Sequence, residues 1–230
     1  KGFTLIELLV VITIIAILAS LAVPTFGRIQ ERGNITKGIS NARQIITALR
    51  IYSADHNGNY PDVSLEPGED ETTGGNTAND VFRTLFTEQI LDSEQVFGCP
   101  VSSVGNPDGN IGASPDYTQA LGSKENHWMM TGGASDSASG SLPLVYENAT
   151  DSDWNPKWNA KAAGTNAKGR AWSGGKIIVG QNDSSVALQA LQDKDGTNTP
   201  LKSPGTVGTA QNLFTRFEDG GFKVLDVKGS

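Results

Sequence analysis

A single carboxylate stands inside the longest apolar run of the chain. Glu7 follows Gly2-Phe3-Thr4-Leu5-Ile6, and it is the only charged residue from Phe3 to Val23, a run of 21 positions. As a helix that run spans about 31 Å, the thickness of a bilayer core. A carboxylate inside such a segment is disfavoured by up to roughly 3 kcal/mol at the bilayer centre and by less near its edge. Glu7 therefore asks for a cationic partner, and nothing in an ordinary membrane anchor needs it.

Other groups that could do chemistry lie far along the chain. Asp193-Lys194-Asp195-Gly196-Thr197-Asn198 sets oxygen ligands two and three residues apart around a glycine turn. Asp193, Asp195 and Asn198 would suit a hard cation such as calcium, although the distal glutamate of an EF-hand loop is missing and Asp-Gly is common in plain turns. Asp151 and Asp153 are poorer candidates. Trp154 and Trp158 flank Asn155-Pro156-Lys157, with Trp172 beyond them and Trp128 before. Exposed, these indoles would make a stacking platform for a glycan or a partner protein; more often such residues fill a core or a subunit interface. Cys99, alone in Val96-Phe97-Gly98-Cys99-Pro100, reads as a small buried hydrophobe beside a turn. A catalytic thiol would want a histidine, and neither His56 nor His127 lies in a nucleophile motif. With one cysteine the chain closes no internal disulfide, so something else must hold its loops.

Gly2-Phe3-Thr4-Leu5-Ile6-Glu7 resembles the processing and assembly signature of type IV pilins and of the pseudopilins of type II secretion. The resemblance covers about the first 55 residues closely and the remainder in general plan. It implies a prepilin peptidase cut between Gly2 and Phe3, N-methylation of Phe3, and a Glu7 carboxylate that neutralises the amino terminus of a neighbouring subunit. Lys1-Gly2 is then the remnant of a leader. Pro24 sits where pilins commonly carry a proline. The implied partners are further copies of the chain, the peptidase, an inner-membrane assembly platform with its ATPase, and the membrane itself before assembly. Some pseudopilins also use calcium in their carboxy-terminal loops.

These groups need elements to position them. Residues 3–23 form the hydrophobic membrane or filament-core helix and residues 24–55 its amphipathic continuation. Ile35, Ile39, Ala42, Ile46 and Leu49 make one stripe, widened by Ile45, Ala48 and Tyr52. Asp55-His56-Asn57-Gly58-Asn59-Tyr60-Pro61 ends the helix, in the manner of major pseudopilins. Pro24 removes a donor in mid-helix, and Gly27, Gly33 and Gly38 each weaken it by roughly 1 kcal/mol relative to alanine. A kink or short non-helical stretch is expected between Ala16 and Gly27, with Pro24 and Gly27 as its seat and helix resuming before Ile35.

Residues 56–230 form the head. Asn79 or Asp80 caps a helix with an apolar face of Val81, Phe82, Leu85, Phe86 and Ile90. Lys176–Gly180 and Ser184–Leu188 make the clearest hairpin, around Gln181-Asn182-Asp183, and 142–146 and 222–227 are further strands. The fold class is α+β and pilin-like: a long amino-terminal helix against an antiparallel sheet with long loops. The 27 glycines, 10 prolines and the polar stretches 68–79, 132–141 and 193–208 fit such a head. A net charge of -7 argues against a grip on nucleic acid by the chain as a whole.

Together these readings describe a structural subunit, with no enzyme motif. It is held in the inner (cytoplasmic) membrane before assembly and then enters an extracellular type IV pilus-like filament. The alternative is a periplasmic pseudopilus of type II secretion, and the alternative of another class is a membrane-anchored glycan- or surface-binding module.

Overall fold

Helix α1, Leu5–Asp55, is 51 residues long. Its start is fixed by Thr4, whose Oγ1 accepts the Glu7 N–H at 3.3 Å while Glu7 Oε2 accepts the Thr4 N–H at 2.8 Å. That is the reciprocal Thr-x-x-Glu capping box, which satisfies two otherwise orphan amide donors. Its end is fixed by Asn57 and Gly58, both left-handed at φ 54 and 82, with the Gly58 N–H returning to the Ser53 carbonyl at 2.8 Å. The expected helix stop is where the sequence places it. Of the expected kink or non-helical stretch, the second is absent: α1 is continuous through Pro24 and Gly27, with no non-helical stretch between Ala16 and Gly27. A lone proline removes one hydrogen bond, and the bonds of the adjoining turns hold the helix across it in the single subunit.

The computed structural model describes residues 2, 4–61, 77–102, 104–204 and 211–229, without the side chains of 21–25. Phe3, the side chain of Pro24, most of the polar stretch 68–79 and the end of 193–208 thus lie outside the described residues. The chain divides into two compact units, Lys1–Lys37 and Gly38–Ser230. In the first, the described side chains of α1 from Leu5 to Ser20 are exposed along the whole circumference. Among the described residues no helix is long and apolar enough to cross a membrane.

In the second unit the last turns of α1 bury Ala42, Ile45, Ile46, Ala48, Leu49 and Tyr52, the stripe expected from their spacing. They pack on a five-stranded antiparallel sheet of order β4-β3-β2-β1-β5. The strands are β1 Trp128–Gly132, β2 Pro143–Glu147, β3 Lys176–Gln181, β4 Val186–Ala190 and β5 Lys223–Leu225. Gly38 is a packing residue: a Cβ there would stand 2.6 Å from Ile178 Cδ1 of β3. The opposite sheet face carries Met129, Tyr146, Ile177 and Val179 against Trp158, Leu201 and Phe214. β1 and β2 are therefore buried at every position.

Helix α2, Ala78–Thr87, is capped one turn earlier than its sequence suggests. Thr77 is the N-cap and Asp80 the reciprocal partner, so Asp80 stabilises the helix start from inside its first turn. Val81, Phe82, Leu85 and Phe86 are buried. The β3–β4 turn is tied to the exit of α1, since the Tyr60 hydroxyl donates to Asn182 Oδ1 at 2.6 Å and Arg50 donates to the Asn182 carbonyl at 2.9 Å.

Candidate functional site

The amino-terminal site is one carboxylate on an exposed apolar helix. Glu7 Oε2 accepts both the amide and the hydroxyl of Thr4, each at 2.8 Å. Glu7 thus has a local role that its oddity in an apolar run concealed: it closes the capping box of its own helix. Oε1 makes no hydrogen bond among the described residues and remains open to a cation. Around it Leu5 is 84% exposed and Ile6 74%, so the carboxylate sits in a surface that water solvates poorly and a partner would cover.

The head residues singled out by sequence divide sharply. Asp193 Oδ1 accepts the Asp195 N–H at 2.9 Å, and Asn198 Oδ1 accepts the Thr150 hydroxyl at 3.3 Å. These oxygens are engaged in closing and anchoring a turn, and Asp193, Asp195 and Asn198 are exposed. Trp158 and Trp172 cannot make a stacking platform, because both are buried, at 0% and 2% exposure. Trp158 fills the core behind the sheet. Trp154 is half-buried, donates to the Phe214 carbonyl at 3.0 Å and packs edge-on against that ring. The indoles are core, for the physical reason that a loop-rich head of few apolar residues uses its largest ones inside.

Residues 1–23 match the prokaryotic N-terminal methylation motif. Over 68 residues the chain is 37% identical to the type IV major pilin protein PilA of Myxococcus xanthus, 30% of each chain. Over 78 residues it is 40% identical to the type II secretion system core protein G of Aeromonas hydrophila, 34% of this chain and 52% of that one. Over 111 residues it is 31% identical to the type IV major fimbrial protein FimA of Dichelobacter nodosus, 48% of this chain and 56% of that one. Over its amino-terminal segment the chain is similar to type IV pilins and to pseudopilins of type II secretion. The matched segments span about a third to a half of these relatives' own length. No solved structure matches.

The head contains a polar cluster that sequence reasoning missed. Cys99, His127 and Glu147, all buried, bring one ligand atom each within 4.8 Å of one another. Glu147, at the end of β2, is the hub. Its carboxylate accepts from Trp172 Nε1 at 2.9 and 2.8 Å, from the Ile178 N–H at 2.7 Å and from His127 Nε2 at 3.1 Å. Arg170 stacks on the Trp172 ring at 4.1 Å and reaches Cys99 Sγ at 3.8 Å. A buried guanidinium and a buried carboxylate thus face each other across an indole, which joins them by its face and its N–H.

Three ligand types side by side invite a metal, but both ring nitrogens of His127 are already hydrogen-bonded within the protein. Asn148 Oδ1 is taken by the Gly169 N–H at 2.7 Å, and its Nδ2 donates to the His127 carbonyl at 3.0 Å and to His127 Nδ1 at 2.8 Å. Reversing that amide would oppose donor to donor and acceptor to acceptor. In the neutral imidazole Nδ1 is then the acceptor and Nε2 carries the proton that Glu147 receives; burial opposes the charged ring, yet Cys99 and Glu147 beside it raise the His127 pKa to about 9. A metal on Nε2 would require the proton to move to Nδ1, against the Asn148 amide, and would sit beside Arg170. The cluster is a clamp: it joins β1, β2, β3 and the loops of Cys99 and Trp172. Nothing in the local sequence marks it, since its members come from five separated segments.

Proposed function

We propose that the chain is a structural subunit of a type IV pilus-like filament, polymerising through α1 after a prepilin peptidase removes the segment ending at Gly2. Phe3 then becomes the N-methylated amino terminus. Before assembly the subunit is stored in the membrane through residues 3–23, and afterwards an assembly platform with its ATPase adds it to the filament. The supporting observation is Glu7: a carboxylate with one oxygen uncommitted, on a helix whose described apolar side chains are exposed all round, within a matched methylation motif. The amino group of Phe3 on a neighbouring subunit supplies the cation that this carboxylate lacks. The head is an outward-facing structural body rather than an enzyme.

A second reading is favoured by one observation, the 40% identity to a type II secretion core protein G over 78 residues. It places the same polymer in a periplasmic pseudopilus. Shearing intact cells separates the two. Long extracellular filaments containing this chain, starting at N-methylated Phe3, support the pilus; the same amino terminus found only in the cell envelope supports the pseudopilus. A chain that starts at Lys1 or at unmodified Phe3, with no filament, overturns both.

A further inference from the structure

The charge of this chain is divided along its length. Residues 1–55 carry six basic and three acidic side chains, whereas residues 56–230 carry twelve basic and 22 acidic. The helix is basic and the head is acidic. Within the second unit the exposed face of α1 presents Arg43, and two turns later Arg50, whose guanidinium is held by Asn182 and Ser184. Neither takes part in an ion pair among the described residues.

Beside Arg43 lies a groove of about 350 Å³ between α1 and the turn after α2, lined by Thr47, Ala48 and Ile51 on one wall and Ile90 and Leu91 on the other. Ile51, 51% exposed, is the only large apolar side chain exposed in the second unit among its described residues. Every other exposed one lies on α1 before Lys37. Elsewhere the head closes over its apolar side chains, and at this groove it leaves one open next to an unpaired arginine.

We infer that this groove and Arg43 form a docking site for the head of a second copy of the chain, which contributes its acidic loop 106–117. That loop is the chemical complement. It exposes Asp108 and Asp116, bears no basic residue, and carries the half-buried apolar Ile111 and Tyr117 between and beside them. Glu88 and Asp92 are exposed on the Ile90–Leu91 side of the groove and repel the incoming carboxylates toward the Arg43 side. The contact uses different surfaces on the two copies, so it is heterologous and propagates into an open helical polymer rather than closing a dimer. An anionic lipid surface would also attract Arg43, but it has no use for a concave apolar slot. This inference rests on the filament reading and adds to it the surface by which one head meets the next.

The test uses filaments of the full chain. Arg43→Lys keeps the charge and supplies an amine, so a zero-length carbodiimide should join that introduced amine of one copy to Asp108 or Asp116 of another, read by peptide mass spectrometry. Arg43→Glu sets like charges together and should lower filament yield about tenfold, with wild-type yield restored when Asp108 and Asp116 are both changed to lysine. Cross-links that map only to other carboxylates, or normal yield from Arg43→Glu, overturn the interface while leaving the filament reading intact. Loss of membrane retention in Arg43→Glu with normal assembly points to lipid and also overturns it. Absence of wild-type filaments removes both.

Discussion

Replacing Glu147 by leucine tests whether the buried cluster replaces the disulfide that this head lacks. The substitution removes the acceptor of three donors, Trp172 Nε1, the Ile178 amide and His127 Nε2. Each buried donor left unpaired costs about 1–3 kcal/mol. Arg170 simultaneously loses the only carboxylate in its cluster. Against this, the cost of burying the carboxylate itself is recovered. Breaking one side of a buried charged network typically destabilises by about 3–5 kcal/mol, and we expect that here. Glu147→Gln keeps one carbonyl acceptor and should cost about 1–2 kcal/mol. For a unit of this size each kcal/mol moves Tm by about 2–4 °C, so the leucine variant should melt about 6–20 °C below wild type.

The assay is thermal unfolding of the full chain in detergent micelles, followed by circular dichroism and tryptophan fluorescence. Trp158 and Trp172 both donate to Glu147, through its carbonyl at 3.3 Å and its carboxylate, so emission should redden when the clamp opens. A double-mutant cycle tests the mechanism rather than the bulk effect. In a Trp172→Phe background one donor is already gone, and the cost of Glu147→Leu should fall by about 1–2 kcal/mol. A leucine variant melting within about 2 °C of wild type, or penalties that simply add, would refute the clamp.

Three further outcomes are expected. Glu7→Gln keeps the capping box, since glutamine serves at that position, but removes the charge; it should be inserted and processed normally yet assemble as poorly as Glu7→Ala, and normal filament yield from Glu7→Gln would leave Glu7 with its helix-capping role alone. Gly2→Val should block peptidase cleavage and assembly together, read as a retained leader in mass spectrometry. Pro24→Ala should stiffen filaments stretched under load, because α1 keeps its hydrogen bonds at the carbonyl of Ser20; unchanged extensibility would show that the proline is not where the helix opens.

Legibility followed locality. The helix stop at Asn57-Gly58, the apolar stripe from Ala42 to Tyr52 and the hairpin at Lys176–Leu188 are set by residues a few positions apart, and the structure has them where the pattern places them. Two locally encoded features are misjudged from sequence because a second signal masks them. Glu7 reads as a carboxylate without ordinary use, although Thr4-Leu5-Ile6-Glu7 is a capping box, because the apolar run draws attention to its cost. The α2 cap reads as Asn79 or Asp80 rather than Thr77, because Asp80 is the reciprocal partner. β1 escapes the pattern altogether: Trp128–Gly132 is buried on both faces and so shows no alternation. The Cys99–His127–Glu147 cluster is beyond reach, since only folding brings its members together, and a nucleophile motif is sought along the chain while these groups meet across the sheet.

The distribution of what is covered and what is not argues for polymerisation from the fold itself. The second unit hides its large apolar side chains so thoroughly that Ile51 alone stands exposed among the described ones. The first exposes at least eleven, from Leu5 through Leu18, with Phe26 and Ile29 beyond. Burying one such side chain is worth about 1.5–3 kcal/mol, so the exposed set represents on the order of 20 kcal/mol that the isolated subunit cannot realise. That exceeds the whole net stability of a typical domain, about 5–15 kcal/mol. A bilayer can supply the burial but offers Glu7 no cation; a bundle of like helices supplies both, provided each brings a free amino group to the level of its neighbour's carboxylate. On the proposed function, the subunit would leave the membrane for the filament because only there would the apolar surface and the charge be satisfied together. A Glu7→Gln chain should accordingly partition more stably into membrane than wild type, and that shift should appear as subunits retained in the membrane fraction of cells whose assembly machinery is intact.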